Sequence, residues 1–237
     1  MPFEKKKRKT CVAILPAAGS SSRMKQTTSK LFCNISGDPV ILITLRALQN
    51  SPVIDEIIIP TRPDMFEEIS NLCRENGITK MTYIIPGGAT RTESVLNGVL
   101  CAGGRFDLVA IHDAARPFVS ADVIGKAYEA ASKYNAAAPA VPVKDTIKQT
   151  KANIVERTVP RETLSAVQTP QIFDSDLITA ALTKAQNEGT PITDDCSAVE
   201  ALGMRVVLTE GDYFNIKITT PEDLIFAEAI YKNINRS

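Results

Sequence analysis

Short apolar runs alternate with segments of helical periodicity over the first 143 residues. The apolar runs have the length of buried strands. They are residues 12–15, 55–59, 81–85, 106–111 and 136–143. The segments between them have the apolar spacing of amphipathic helices. They are residues 39–48, 63–76 and 90–100. This alternation predicts an α/β fold with a mostly parallel sheet and helices on both of its faces.

The alternation stops after residue 143, where two polar runs of high strand propensity follow each other. Residues 144–150 and 154–159 flank Lys151-Ala152-Asn153, a combination typical of a β-hairpin. A hairpin that stands alone is marginally stable and has two exposed edges. We therefore expect about residues 143–163 to form a protruding β-hairpin arm that packs on a partner subunit.

Beyond the arm the regular pattern returns. It predicts a strand at 169–173, a helix at 176–187, a capped helix from Thr193, a strand at 205–208 and a closing helix from Thr220. The chain has no internal repeat or low-complexity linker, so residues 1–237 are expected to form one domain. Residues 1–9 are rich in lysine and are expected to be a flexible tail.

The composition excludes several classes of protein. Lys+Arg and Asp+Glu balance at 27 each, so the net charge does not indicate a nucleic-acid-binding surface. No apolar run approaches the roughly 20 residues that span a bilayer. The five cysteines are odd in number and no pair has metal-site spacing, which favours reduced thiols and a cytoplasmic location.

The loop after the first strand has the composition of an anion-binding site. Pro16-Ala17-Ala18-Gly19 is followed by three serines and Arg23, and Lys30 comes seven residues later. Backbone N–H groups, hydroxyls and two cations can together bind phosphates. The spacing matches neither the P-loop nor the G-x-G-x-x-G motif, so an ordinary serine-rich turn is the alternative.

Two further turns of unusual composition, 86–94 and 112–117, also follow predicted strands. In open α/β sheets ligands bind beyond the carboxyl ends of the strands, so we expect these turns and the 16–24 loop to meet at one site. Asp113 there could hold Mg²⁺ between protein and phosphates or could cap a helix.

The residue types favour phosphoryl or nucleotidyl transfer. That chemistry needs oriented positive charge, a metal ion and two oxygens in line. The candidate cations are Arg23, Lys30, Arg116, Arg161 and Lys217. His112 is the one histidine and no nucleophile elbow is present, which disfavours acyl transfer. We interpret His112 as a packing residue at a strand end.

Several motifs together resemble the 2-C-methyl-D-erythritol 4-phosphate cytidylyltransferase family of Rossmann-like nucleotidyltransferases. They are residues 16–24 with Lys30, and residues 112–117, 143–146, 169–171, 192–195 and 215–223. The resemblance covers about residues 11–230. It implies a Mg²⁺-dependent transfer of a cytidylyl group from CTP to 2-C-methyl-D-erythritol 4-phosphate in non-mevalonate isoprenoid precursor biosynthesis, with pyrophosphate as the second product.

On the nucleotide side, the resemblance implies that Arg23 and Lys30 bind the triphosphate and stabilise the charge that develops on it. Cytosine would be held by Gly88, Ser94 and the Ala17-Ala18 backbone of the substrate-binding 16–19 loop. The loop residues are Pro16, Ala17, Ala18 and Gly19. Asp113 and Ala114 would lie near the ribose and the metal.

On the acceptor side, the resemblance implies that Lys217, Arg161 and Thr146 bind the polyol phosphate, and that Arg116 and Thr169 line the same pocket. It also implies a homodimer in which the arm crosses to the partner, so that Thr146 and Arg161 serve the neighbouring site. Two alternatives remain at this point. One is a cytidylyltransferase acting on ribitol 5-phosphate, and the other is a nucleotide-binding module without catalytic activity.

Overall fold

The computed structural model describes residues 8–19 and 30–234. Arg23, and most of the predicted N-terminal tail, lie outside the described residues. The strands are β1 Cys11–Ile14, β2 Asn34–Ile35, β3 Asp38–Pro39, β4 Glu56–Thr61, β5 Met81–Pro86, β6 Leu108–Ile111, β7 Ala136–Pro142, β8 Ile147–Lys151, β9 Ile154–Val159, β10 Ser165–Val167, β11 Gln171–Asp174 and β12 Val207–Glu210. The helices are α1 Val40–Asn50, α2 Phe66–Glu75, α3 Arg91–Ala102, α4 Ala121–Tyr134, α5 Ser175–Glu188, α6 Asp195–Glu200 and α7 Pro221–Ile234. None of these described helices is both long and apolar enough to cross a membrane.

The central sheet is mostly parallel, as the alternation predicts. β1 lies between β4 and β6, and β5 flanks β4, all in parallel. The strand predicted at 169–173 is β11, which runs antiparallel to both β6 and β7. β12 closes the opposite edge of β7 in parallel. The central sheet is therefore a parallel sheet with an antiparallel insertion.

β10 and β11 are two halves of one strand that is interrupted by a bulge. Val167 pairs with Ala140 of β7, and Ile172 pairs with Ala137. The strand thus advances five residues (167 to 172) while β7 advances three (140 to 137). Gln168 still donates its N–H to the carbonyl of Pro139 in β7 at 2.7 Å. The two extra residues force the chain out of the ladder at 169–170, and such bulges are common next to active sites because they redirect a side chain.

Two apolar cores lie on opposite faces of the sheet. Along β1, Cys11 and Ala13 face the core that includes α1, α2, α4 and α7. Val12 and Ile14 face the core that includes α3, α5 and α6. The alternation follows from the two-residue period of a strand, and it confirms the prediction of helices on both faces.

Helix α4 lies in a stretch where the sequence pattern predicted no element. β6 and β7 each run antiparallel to β11, so they run parallel to each other, and a parallel connection needs a crossover, usually a helix. Ser120 caps this helix by accepting a hydrogen bond from the N–H of Val123 at 3.2 Å.

The predicted arm is present as the antiparallel pair β8 and β9. Ala152 and Asn153 form its turn with φ of 48° and 63°, the left-handed conformation that a two-residue hairpin turn requires. Both strands are exposed almost throughout, and Ile154 is 71% exposed.

Gly98 allows α3 to pack closely on the sheet. A Cβ at this position would lie 2.5 Å from Ile14 Cγ2 and 3.0 Å from Pro60 Cγ. Both neighbours are buried strand residues. Gly125 of α4 is a helical glycine with no atom within 4 Å of the corresponding Cβ position.

We expect Gly98→Ala to lower the free energy of unfolding by about 1 kcal/mol, because overpacking outweighs the gain in helix propensity. The matched change Gly125→Ala should raise it by about 0.5–1 kcal/mol. Urea denaturation of the two variants measures both effects. A stabilised Gly98→Ala variant would contradict the close packing of α3 on β1 and β4.

Candidate active site

The described residues form a cleft of about 460 Å³ at the carboxyl ends of the parallel strands. Its lining comes from four segments: the loop after β1, the turn before α3, the turn after β6 and the segment before α7. The lining residues are Pro16, Ala17, Ala18, Gly19, Lys30, Leu31, Gly88, Ala89, Thr90, Arg91, Ser94, Asp113, Ala114, Ala115 and Lys217.

The structure brings together most of the residues that the sequence singled out. Those in the lining are Pro16, Ala17, Ala18, Gly19, Lys30, Gly88, Ser94, Asp113, Ala114 and Lys217. Arg116 and Thr169 lie behind Asp113 and contact it. Thr146 is exposed at the root of the arm. Arg161 is exposed in the arm just after β9, with its guanidinium 3.0 Å from the carbonyl of Lys144. Neither residue lines the cleft of its own chain as described.

The turn before α3 is held against the loop after β1 by close packing. A Cβ at Gly87 would lie 2.6 Å from Ala18 Cβ, and one at Gly88 would lie 2.2 Å from Glu93 Cβ. The hydroxyl of Ser94 accepts from the N–H of Gly88 at 3.0 Å, and Glu93 accepts from the N–H of Ala89 at 2.7 Å. The two glycines are therefore needed for space.

Asp113 is the carboxylate around which three cations of the site are grouped. Its Oδ1 lies 3.3 Å from Arg91 Nε, and its Oδ2 lies 2.9 Å from Lys217 Nζ and 3.4 Å from Arg116 Nε. Burial disfavours ionisation of this carboxyl, but the three neighbouring cations outweigh burial and hold its pKa well below the ordinary value. Asp113 is therefore a carboxylate at all ordinary pH values.

Neutral hydrogen bonds fix the turn that carries Asp113. The N–H of Asp113 donates to Thr169 Oγ1 at 3.1 Å, and that hydroxyl lies 3.0 Å from His112 Nδ1. His112 Nε2 lies 3.1 Å from the carbonyl of Arg116. A carbonyl only accepts, so Nε2 carries a proton. Burial lowers the pKa of His112 to about 4, so the imidazole is neutral at pH 7 and Nδ1 accepts from the threonine hydroxyl.

The segment before α7 is joined to the same turn. Asn215 Nδ2 donates to the carbonyl of Thr169 at 2.9 Å, and Arg116 Nη1 donates to the carbonyl of Asn215 at 2.7 Å. The N–H of Ile218 donates to the carbonyl of Ala115 at 2.8 Å. These bonds place Lys217 beside Asp113.

Sequence reasoning assigned no role to two charged residues of the site. Arg91 lines the cleft, and its guanidinium also contacts the fully buried Asp195 at 2.8 Å. One signal was available for Arg91: it is a cation in the first turn of a helix, where the helix dipole disfavours positive charge. Asp195 was part of a recognised motif, but its partner is 104 positions away in the chain.

The cleft offers few protein ligands for a metal ion. Within residues 8–19 and 30–234, no group of three His, Cys, Asp or Glu side chains could hold one, and Asp113 is the one carboxylate in the described lining. Such a site suits Mg²⁺ that takes most of its ligands from phosphates and water.

The IspD family model, described as 2-C-methyl-D-erythritol 4-phosphate cytidylyltransferase, matches residues 11–233. The chain belongs to this family. A protein of that name from Halalkalibacterium halodurans is 45% identical over 217 residues, which cover 92% of this chain and 95% of that protein. A relative with the same name from Caldanaerobacter subterraneus is 44% identical over 222 residues, covering 91% and 96%. The family membership makes the chain a nucleotidyltransferase.

Solved structures of the family share the fold. The crystal structure of 4-diphosphocytidyl-2C-methyl-D-erythritol synthase from Anaerococcus prevotii is 34% identical, with a TM-score of 0.84 and coverage of 94% of this chain and 96% of that one. The 2-C-methyl-D-erythritol 4-phosphate cytidylyltransferase of Thermus thermophilus is also 34% identical, with a TM-score of 0.78 and coverage of 93% and 98%.

The neutral state of His112 predicts a pH dependence of stability. Burial lowers its pKa to about 4, although the carbonyl of Arg116 partly opposes this. An unfolded histidine titrates near 6.5. As the pH falls below about 6.5, the unfolded chain takes up a proton that the folded one does not, so the folded state loses stability down to about pH 4.

We expect this histidine alone to make the free energy of unfolding about 2 kcal/mol smaller at pH 5 than at pH 7. His112→Gln keeps a donor for the carbonyl of Arg116 but does not titrate, so its stability should fall less over the same range. Urea denaturation at pH 5 and pH 7 gives the change in the free energy of unfolding for the wild type and for the variant. Equal differences in wild type and variant would contradict a buried neutral His112.

Proposed function

We propose that this protein transfers a cytidylyl group from CTP to 2-C-methyl-D-erythritol 4-phosphate, giving 4-diphosphocytidyl-2-C-methyl-D-erythritol and pyrophosphate. The observation that carries the proposal is the convergence of Lys30, Lys217 and Arg91 on one cleft that also contains Asp113 and a glycine turn, in a chain of this family. The proposal includes Arg23, which belongs to the same loop as Gly19 and lies outside the described residues.

The chemistry needs no general base. An oxygen of the acceptor phosphate attacks the α-phosphorus of CTP, and the bond from that phosphorus to the β-phosphate oxygen breaks as pyrophosphate leaves. The nucleophile is already an anion, so positioning and charge stabilisation account for catalysis. Lys30 stabilises the triphosphate side and Lys217 the acceptor side. The neutral, buried His112 has no part in proton transfer.

Mg²⁺ is part of the proposal, and Asp113 is the cleft carboxylate that would hold it. When bound, it neutralises charge on the triphosphate and on the departing pyrophosphate. Asp113 is fully ionised and lies in the cleft lining. Its three cationic neighbours compete for the same oxygens, which agrees with a metal held mainly by the nucleotide.

The turn at 87–90 supports selectivity for cytosine. The N–H groups of Gly88 and Ala89 are engaged by Ser94 and Glu93, so the turn offers carbonyl acceptors to a base more readily than donors. The exocyclic amine of cytosine is a donor, whereas uracil has an oxygen at that position. A base that leaves buried polar groups unpaired is rejected strongly.

We expect product formation with CTP and 2-C-methyl-D-erythritol 4-phosphate, little with UTP, and none with ATP. Mass spectrometry measures product formation in reactions that contain each nucleotide together with either 2-C-methyl-D-erythritol 4-phosphate or ribitol 5-phosphate. Lys30→Ala controls for a contaminating activity and should lower kcat by about 100-fold or more. Equal turnover of ATP and CTP, or a preference for ribitol 5-phosphate, would overturn the assignment.

We also propose a homodimer in which the arm completes the partner's site. The support is that Thr146 and Arg161 lie outside the cleft of their own chain as described, while apolar residues of the arm are exposed. Ile154 at 71% and Val155 at 55% exposure point to opposite faces of β9, so each face of the arm has an exposed apolar side chain available to a second chain.

This proposal predicts complementation between two inactive variants. Lys30→Ala damages the cleft, and Arg161→Ala damages the arm. In a mixed dimer the intact cleft of one chain meets the intact arm of the other, so one of the two sites is wild type. With equal amounts and random exchange, about a quarter of wild-type activity should return.

The measurement is activity after co-expression of the two variants, with dimers verified by size-exclusion chromatography and the mixed fraction by native mass spectrometry. If the arm served its own chain, every site would carry one damaged residue. A verified mixed dimer without recovered activity would therefore exclude a shared site.

A further inference from the structure

Arg91 occupies a position that its own helix does not favour. It is the first residue of α3, where free backbone N–H groups and the helix dipole disfavour a positive charge. Its side chain is nonetheless only 35% exposed, and it lies in the lining of the cleft. The ionic partners of Arg91 must therefore account for a cation at this position.

Asp195 binds the end of the guanidinium group. Nη1 and Nη2 of Arg91 donate to Oδ1 and Oδ2 of Asp195 at 3.1 and 2.8 Å. This is the two-bond geometry that fixes the orientation of an arginine. Asp195 is fully buried, and a buried carboxylate is costly unless its partner is well placed. The pair therefore holds Arg91 in one orientation.

The third guanidinium nitrogen of Arg91 faces Asp113. Nε lies 3.3 Å from Oδ1 of Asp113, whose Oδ2 lies 2.9 Å from Lys217 Nζ. Arg91 thus holds one oxygen of this carboxylate while the other faces Lys217. Three of the five N–H groups of Arg91 thus donate to carboxylates, and the one on Nε acts on Asp113.

We propose that the Asp195–Arg91 pair is a positioning element that orients the Asp113 carboxylate and, through it, the ammonium group of Lys217. The inference rests on the cytidylyl-transfer function proposed above. Without the pair, Asp113 can rotate and Lys217 loses its fixed place at the acceptor phosphate. Displacement of a positioned group reduces the rate of the chemical step more than it reduces substrate binding.

The kinetic test uses Arg91→Lys and Asp195→Asn. Arg91→Lys keeps the charge but loses the fork of donors, and Asp195→Asn keeps the shape but loses the charge. Each should lower kcat, corrected for folded fraction, by about tenfold or more. Arg46→Lys is the matched control. Arg46 belongs to α1, binds Asp38 and Asn76 through its guanidinium, and lies outside the cleft lining. This variant should leave kcat unchanged.

A double variant separates positioning from a structural role. If Arg91 acts through Lys217, adding Arg91→Lys to Lys217→Ala should lower kcat little further, because both changes remove the same contribution. Two independent roles would give multiplied losses. A multiplied loss in the double variant would overturn the proposal. It would also be overturned if the fall in kcat of the single variants equalled the fall in folded fraction measured by thermal unfolding.

A measurement without turnover distinguishes this proposal from the proposed function. Acetic anhydride labelling of Lys217, followed by peptide mass spectrometry with exposed Lys184 as the internal reference, reports how firmly Lys217 is held. Labelling of Lys217 should be several-fold faster in Arg91→Lys and Asp195→Asn and unchanged in Arg46→Lys. Unchanged labelling in all three variants would overturn the positioning role, whereas a wild type without cytidylyl transfer would overturn the function only.

Discussion

The ionic contacts of Asp113 are the interaction on which the cleft depends. Arg91, Arg116 and Lys217 come from three different segments and would repel one another in a small space. The buried carboxylate between them lets all three approach within 2.9 to 3.4 Å of its oxygens. The cleft therefore keeps a concentration of positive charge in a protein whose formal net charge is zero, and a phosphate-rich substrate is attracted to that local field.

Hydrogen bonds between uncharged groups fix the backbone segments that carry these charged side chains. Thr169 accepts from the N–H of Asp113 and donates to His112, while Asn215 joins Thr169 to the segment that carries Lys217. Thr169 reaches this position because the strand formed by β10 and β11 leaves its ladder at 169–170. The antiparallel insertion in the sheet is therefore a functional part of the site: it supplies the hydroxyl beneath Asp113.

Close packing sets the opposite wall of the cleft. Gly87 and Gly88 bring the turn before α3 so near to Ala18 and Glu93 that no side chain fits at either position. Gly98 brings the same helix against Ile14 and Pro60. Since Arg91 and Ser94 belong to this helix, its distance from the sheet determines where they lie in the cleft.

The sequence by itself determined the alternation of elements except for α4, the two-sided sheet, the hairpin arm and the three turns of the cleft, because each depends on local periodicity or local turn chemistry. It also indicated Lys30, Asp113 and Lys217, since these residues stand in recognisable motifs. Only the tertiary structure decided that β11 runs antiparallel, that Gly87 and Gly88 are required for space, that His112 is a neutral link, and that Asp195 fixes Arg91. The reason is physical. Strand direction, close packing and the pairing of buried charges depend on residues that are far apart in the chain, such as Arg91 and Asp195, which are separated by 104 positions. A local sequence pattern does not indicate which distant residues come into contact.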